Sequence, residues 1–404
     1  MPSLASVPPE ILAEILGWLS SDVGSLKNCS FSCSALLPVS QYYLLAVVDF
    51  SFLGDMETEP LRDCITELQV TPNSEPLASD PETYINTALS LPRLNTIRFN
   101  WGTSPLQPAF ATAVQQRLHE FTSVTHLVLR GMVYSNIDEL RNLICSLPSL
   151  THLTVGGLLF RDRRPSAGNY FMRHRKLPDH PDGPRLTYIS VAPGYNAEAT
   201  TAILEWLPCT PTRDSMRTVE IPEESRNTIF VVDCFGPSVY HLSIAKLESI
   251  ASWKMGFISR YTALRSLELG AMSPASWQQL YKMVAEIRSP HFVELVLRYD
   301  AVADPDAAIA PNTVETSPVD YALRVKLPSV KRVCFVVVYD PQVTGSGGDT
   351  VWRDGVVTRV RACFRRLAEG GKLQIEFEHA KINNQKLRQE QTVFRTSRNR
   401  TIGP

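Results

Sequence analysis

The sequence predicts an α/β protein: a short helical module at the amino terminus, then strands alternating with helices to build a parallel sheet. Three observations predict it. The pattern apolar-x-x-apolar-x-apolar recurs ten times between Ile65 and Phe335. Stretches with one apolar helical face lie between its copies. The first fifty residues carry an apolar stripe at helical spacing, with prolines and cap residues where helices begin.

The amino-terminal helix is set by Val7-Pro8-Pro9-Glu10, followed by Ile11, Leu12, Ile15, Leu16 and Leu19. Those offsets place one apolar stripe on a helix, and proline presets the φ that its first turn needs. Ser20, Ser21 and Asp22 offer caps for a second helix carrying Val23 and Leu26. Cys29, Phe31, Cys33 and Leu36 continue the apolar helical pattern. Pro38 is expected to break it, with residues 44–48 as the first strand.

The repeats then follow. The apolar triplets are Ile65, Leu68, Val70; Leu94, Ile97, Phe99; Val124, Leu127, Leu129; Leu150, Leu153, Val155; and Leu186, Ile189, Val191. They continue as Met216, Val219, Ile221; Val239, Leu242, Ile244; Leu264, Leu267, Leu269; Phe292, Leu295, Leu297; and Val330, Val333, Phe335. Leu373, Ile375 and Phe377 read as a terminal strand in a shifted frame. The last two apolar positions alternate with polar ones, the period of a strand with one face buried. Successive triplets are 23 to 38 residues apart, and the two longest steps hold polar or proline-rich insertions, 161–183 and 301–318. Helices are expected over 136–145, 197–207, from 273 to 287, and over 351–367. Strand, helix and strand at one period imply parallel strands with helices outside. Stacked repeats of this kind make a curved solenoid whose concave wall is the sheet.

The body, about 60–380, resembles a degenerate leucine-rich-repeat array. The amino terminus resembles an F-box of the kind found in large fungal families. The residues that carry this second resemblance are Pro8, Pro9, Glu10, Ile11, Leu12, Ile15, Leu16 and Leu19, with Ser25-Leu26, Cys29-Ser30, Cys33-Ser34, Leu37-Pro38 and Ser40 behind them. It implies three parts: an F-box-like module over 1–45, a degenerate leucine-rich-repeat-like solenoid over 46–380, and a basic flexible tail over 381–404. It also implies a function, that of substrate receptor in a cullin–RING ubiquitin ligase. Pro8, Pro9, Ile11, Leu12, Ile15, Leu16, Leu19 and Leu26 would dock a Skp-type adaptor, and the repeats would hold a target protein. The alternative is a protein-binding repeat domain with an amino-terminal cap and no role in ubiquitin transfer.

Charge divides the chain. Residues 1–90 hold twelve acids and two bases, Lys27 and Arg62, while the remainder holds 38 bases and 29 acids. The whole chain has a formal net charge of −1, which argues against a dedicated nucleic-acid binder. Eight cysteines in 404 residues are too few for a disulfide scaffold. No Lys or Arg precedes Lys27, and the longest aliphatic run, near Val333–Tyr339, is too short to span a bilayer. A cytoplasmic or nuclear protein with no membrane partner is the expectation.

No phosphate loop, Gly-x-Ser-x-Gly elbow or His-Glu-x-x-His is present. Cys29 and Cys33 have no second ligand pair nearby for zinc. No enzyme activity, metal or cofactor is expected. The solvent-facing column of the strands supplies the candidate target contacts: Arg98, His126, Arg130, His152, Tyr188, Glu268 and Arg298. Three of the eight histidines, His126, His152 and His241, share one column, with His126 and His152 on neighbouring strands. Two basic stretches, in 161–176 and after His379, could grip an acidic segment.

Overall fold

A computed structural model describes residues 7–19, 22–55, 62–71, 81–101, 109–161, 182–192, 197–221, 233–245, 258–270, 277–300, 317–339 and 349–379. The chain divides into two compact units, residues 1–163 and 164–404. Both are α/β, and both are built on parallel strands. Most of insertion 161–183, nearly all of 301–318, and the tail 381–404 lie outside the described residues.

The first unit opens with three helices: α1 (Pro9–Gly17), α2 (Val23–Ser32) and α3 (Leu37–Leu45). Pro8 caps α1, with Pro9 in its first turn and Glu10 at the positive end of its dipole. Asp22 caps α2, its carboxylate accepting from the Ser25 amide at 3.0 Å. Pro38 does not break a helix, contrary to expectation. It sits in the first turn of α3, where its missing N–H has no partner to lose. Leu44 and Leu45 belong to that helix, and the strand begins only at Val47. A short apolar run does not by itself choose between helix and strand.

Five strands follow: β1 (Val47–Asp49), β2 (Glu67–Val70), β3 (Thr96–Asn100), β4 (His126–Arg130) and, after the two-residue β5 (Val133–Tyr134), β6 (His152–Gly156). Within this unit they pair in the order β1-β2-β3-β4-β6, all parallel. β5 pairs with β7 (Leu159–Phe160) in a separate parallel ribbon. Helices α4 (Pro81–Leu89), α5 (Ala109–Gln116) and α6 (Ile137–Cys145) alternate with the strands.

One device sets the register in this unit. The carbonyl just before a strand accepts two consecutive amides of the next lead-in. Thr66 and Glu67 donate to Ala46, Asn95 and Thr96 to Thr66, Thr125 and His126 to Asn95, and Thr151 and His152 to Thr125. The expected apolar positions therefore line up and all face inward. Leu68, Val70, Ile97, Phe99, Leu127, Leu129, Leu153 and Val155 are buried. Each such side chain contributes about 1.5–3 kcal/mol relative to exposure. Leu140, Leu143 and Ile144 of α6 add to the same core, and Asn136 caps that helix by accepting from the amides of Asp138 and Glu139.

The second unit repeats the plan with seven parallel strands, β8 (Tyr188–Ala192), β9 (Thr218–Ile221), β10 (His241–Ile244), β11 (Ser266–Leu269), β12 (Glu294–Asp300), β13 (Arg332–Tyr339) and β14 (Leu373–His379), paired in that order. Between them run α7 (Ala197–Trp206), α8 (Thr212–Ser215), α9 (Trp277–Glu286), α10 (Ser317–Lys326), α11 (Asp349–Cys363) and α12 (Arg365–Glu369). The single helix expected over 351–367 is divided at Phe364, which leaves helical geometry and buries its ring. β13 departs from alternation: Val333, Cys334, Phe335, Val336 and Val337 are all buried. Cys334, in the column expected to face solvent, is thus a core residue, and burial raises its thiol to about 12.

Candidate functional site

Two surfaces gather the residues singled out in the sequence. The first is α1. Its stripe divides by angle. Leu12 and Leu16 turn inward and are buried, as is Leu26 of α2. Tyr43 of α3 donates its hydroxyl to the Ala13 carbonyl at 2.9 Å, fixing α1 against α3. Ile11 and Ile15 point the other way, 46% and 53% exposed, and Trp18 at the end of the helix is 82% exposed. Pro8 is exposed at the helix start and Leu19 is half-buried; Pro9 is the first helical residue. The three outward side chains fall at i, i+4 and i+7, one face of the helix. Phe31, 87% exposed, and Tyr42 add further apolar surface to the module. The sequence reading missed Trp18, although it continues the Ile11–Ile15 spacing by one turn.

The second surface is the polar face of the sheet. In the first unit, Arg98 grips Glu67 with both ends of the carboxylate, Nε to Oε1 at 2.6 Å and a terminal nitrogen to Oε2 at 3.2 Å. His126 and His152 pair in register, and their rings stack with centroids 4.0 Å apart and planes 21° from parallel. Each Nδ1 lies 2.8 Å from the hydroxyl of the preceding threonine, Thr125 or Thr151. Burial holds both imidazoles below the usual histidine range, and the His126 ring further opposes a charge on His152. Arg130 is half-buried at the end of β4, the strand that carries His126.

In the second unit, Tyr188 donates to Glu220 at 2.7 Å, and burial with that bond pushes its phenol up to about 12. Arg298 bridges two carboxylates, Glu268 on β11 and Glu378 on β14. The candidate contacts Arg98, Glu268 and Arg298 are therefore already ion-paired, and a target group would exchange for an internal partner instead of meeting a free charge. The partners Glu67, Glu220 and Glu378 were not singled out from the sequence. The first two were legible once the register was assumed, since each lies on the adjacent strand two residues from its partner's level.

Among the described residues, no group of three or more His, Cys, Asp or Glu side chains is placed to hold a metal ion. No described helix is long and apolar enough to cross a membrane. No family model matches the sequence, and no curated protein matches it.

Proposed function

We propose that this chain is the substrate-receptor subunit of a cullin–RING ubiquitin ligase. In this reading the three amino-terminal helices form an F-box that docks a Skp-type adaptor, and the strand-and-helix repeats are a leucine-rich-repeat-like solenoid that holds a target protein. The observation that carries it is the division of the α1 stripe. Leu12 and Leu16 hold the helix to its own module, while Ile11, Ile15 and Trp18 remain outside. Large apolar groups exposed side by side mark a surface that a partner covers.

The test is co-purification of the intact chain with a Skp-type adaptor and cullin, for the parent and for the double variant Ile11→Asp, Ile15→Asp. Both positions are exposed, so the variant should keep its melting temperature and lose the adaptor, because a desolvated unpaired carboxylate costs several kcal/mol at an interface. Undiminished co-purification sinks the reading. A second reading has its own observation: α3 runs through Ala46 directly into β1, and the Ala46 carbonyl receives Thr66 and Glu67. Helices joined to an edge strand in this way could serve only as a cap over the first repeat. Unfolding of the double variant would favour the cap.

A further inference from the structure

We propose that the margin of the second unit's sheet where the strands begin binds an acidic peptide segment, its carboxylates seated on Arg217, Arg265 and Lys331. These residues hold equivalent places, each immediately before a strand. The bifurcated carbonyl bonds establish this: Tyr240 and His241 donate to Arg217, Arg265 and Ser266 to Tyr240, Val293 and Glu294 to Arg265, and Lys331 and Arg332 to Val293. Neighbouring strands lie about 4.8 Å apart, so the column Arg217, Tyr240, Arg265, Val293, Lys331 is a ladder of fixed spacing.

Two features make it more than a polar rim. The first is preorganisation. Tyr240 is 37% exposed and is flanked by two guanidiniums, Arg217 at 5.0 Å and Arg265 at 4.9 Å from the ring centroid. One terminal nitrogen of Arg217 also donates to the carbonyls of Asp214, Met216 and Ser238. The cations are held by a ring and by neutral carbonyls, so their charge is oriented without being neutralised. Arg332, one residue further on, is by contrast taken up by Glu294. Asp214 meets Arg217 through its backbone carbonyl.

The second feature is the comparison with the first unit. The same register position there holds Thr66, Asn95, Thr125 and Thr151. Their needs are met internally: the hydroxyls of Thr66 and Thr151 donate to Ala46 and Thr125 carbonyls, and the Asn95 amide oxygen accepts from Thr96. The fold at this position is satisfied by small neutral side chains. A cation is therefore not required at this position, and Arg265 and Lys331 make no such bond, whereas Arg217 also ties local carbonyls. An acidic peptide fits better than a nucleic acid, because guanidiniums already flank Tyr240 and leave no open aromatic platform on which a base could stack.

The inference does not depend on adaptor docking, and its test uses the full chain alone. Fluorescence anisotropy would follow a labelled polyglutamate peptide, a labelled serine–glycine peptide, and a labelled oligothymidylate of the same charge as the polyglutamate. Arg265 and Lys331 are exposed and make no side-chain hydrogen bond, so Arg265→Glu, Lys331→Glu should lose only the exposed contact of Arg265 with the Tyr240 ring and keep the melting temperature within a few degrees of the parent. That variant should weaken polyglutamate binding by at least about tenfold, and binding should weaken further as salt rises. Arg365→Glu, Arg366→Glu on α12 makes the same change in net charge elsewhere and should leave binding within about twofold. Equal losses in the two variants would reduce the effect to net charge and overturn the proposal. So would no loss in the first variant, or tighter binding of oligothymidylate than of polyglutamate with the same dependence on Arg265 and Lys331.

Discussion

Gly270 gives the most demanding test of the strand geometry. It follows β11 directly and is buried against Ala245, which follows β10. A Cβ at position 270 would stand 2.9 Å from the Ala245 carbonyl carbon and 3.0 Å from its Cα, and closer still to the carbonyl oxygen. The obstacle is backbone, so no rotamer change relieves it. Relief requires one strand end to withdraw from the other. Those ends are tied by Gly270 donating to Ile244 at 2.7 Å and Ala245 donating to Ile221 at 2.8 Å. Overpacking a tight site costs about 1–3 kcal/mol, and each ladder bond lost adds about 1 kcal/mol. Gly270→Ala should therefore destabilise the second unit by about 2–5 kcal/mol. For a unit of this size that corresponds to a fall in melting temperature of about 5–15 °C. Urea unfolding followed by circular dichroism would give the free energy directly. Gly371 supplies the control: its φ is +67° and nothing lies within 4 Å of a built Cβ. Gly371→Ala should cost only the left-handed backbone penalty, about 1–2 kcal/mol. If Gly270→Ala melts with the parent, the close approach of β10 and β11 is wrong, and with it the register derived from their shared carbonyls.

Further outcomes follow from the first unit. Because burial lowers the His126 and His152 imidazoles in the folded protein, the unfolded chain takes up their protons first. Their contribution to stability is thus intact above the unfolded value near pH 6.5 and falls as pH drops below it; unfolding at pH 7.5 and 5.5 should show this slope, and His126→Asn, His152→Asn should flatten it. Replacing the α6 cap, Asn136→Ala, leaves the Asp138 and Glu139 amides without their acceptor and should cost about 0.5–2 kcal/mol in urea unfolding, whereas Asn136→Ser should restore most of it.

The strands were the most legible part of the chain because two cues coincide there: the inward pair of apolar residues, and a third apolar anchor before it. Met216, Val239 and Leu264 mark their strands as clearly as Val219, Leu242 and Leu267 do, and all six are buried. The His126–His152 neighbourhood followed from the same register. Less was legible where one residue type serves two geometries. Pro38 can end a helix or begin one, and Leu44 and Leu45 suit either element. Helical spacing identified the α1 stripe but could not say which half of it turns inward. That depends on where α2 and α3 lie, and so Leu12, Leu16, Ile11 and Ile15 were grouped as one surface. The Arg298–Glu378 pair was out of reach for a different reason: it joins residues 80 positions apart across an intervening strand, β13.

The shared carbonyl before most of the strands also governs where this chain can change length. Lead-ins are held by two hydrogen bonds to the preceding repeat and by a buried anchor, so an added residue there would shift the register and turn a row of side chains over. Strand exits lack the doubly bonded carbonyl and are held at most by single bonds, as Gly270 is to Ile244 and Ala245 to Ile221; beyond them the connections already differ widely in length, from 193–196 after β8 to 301–316 after β12. Grafted sequence, a tag, or a new recognition segment therefore belongs after a strand and not before one. The architecture keeps one side of each repeat conservative and leaves the other open to variation.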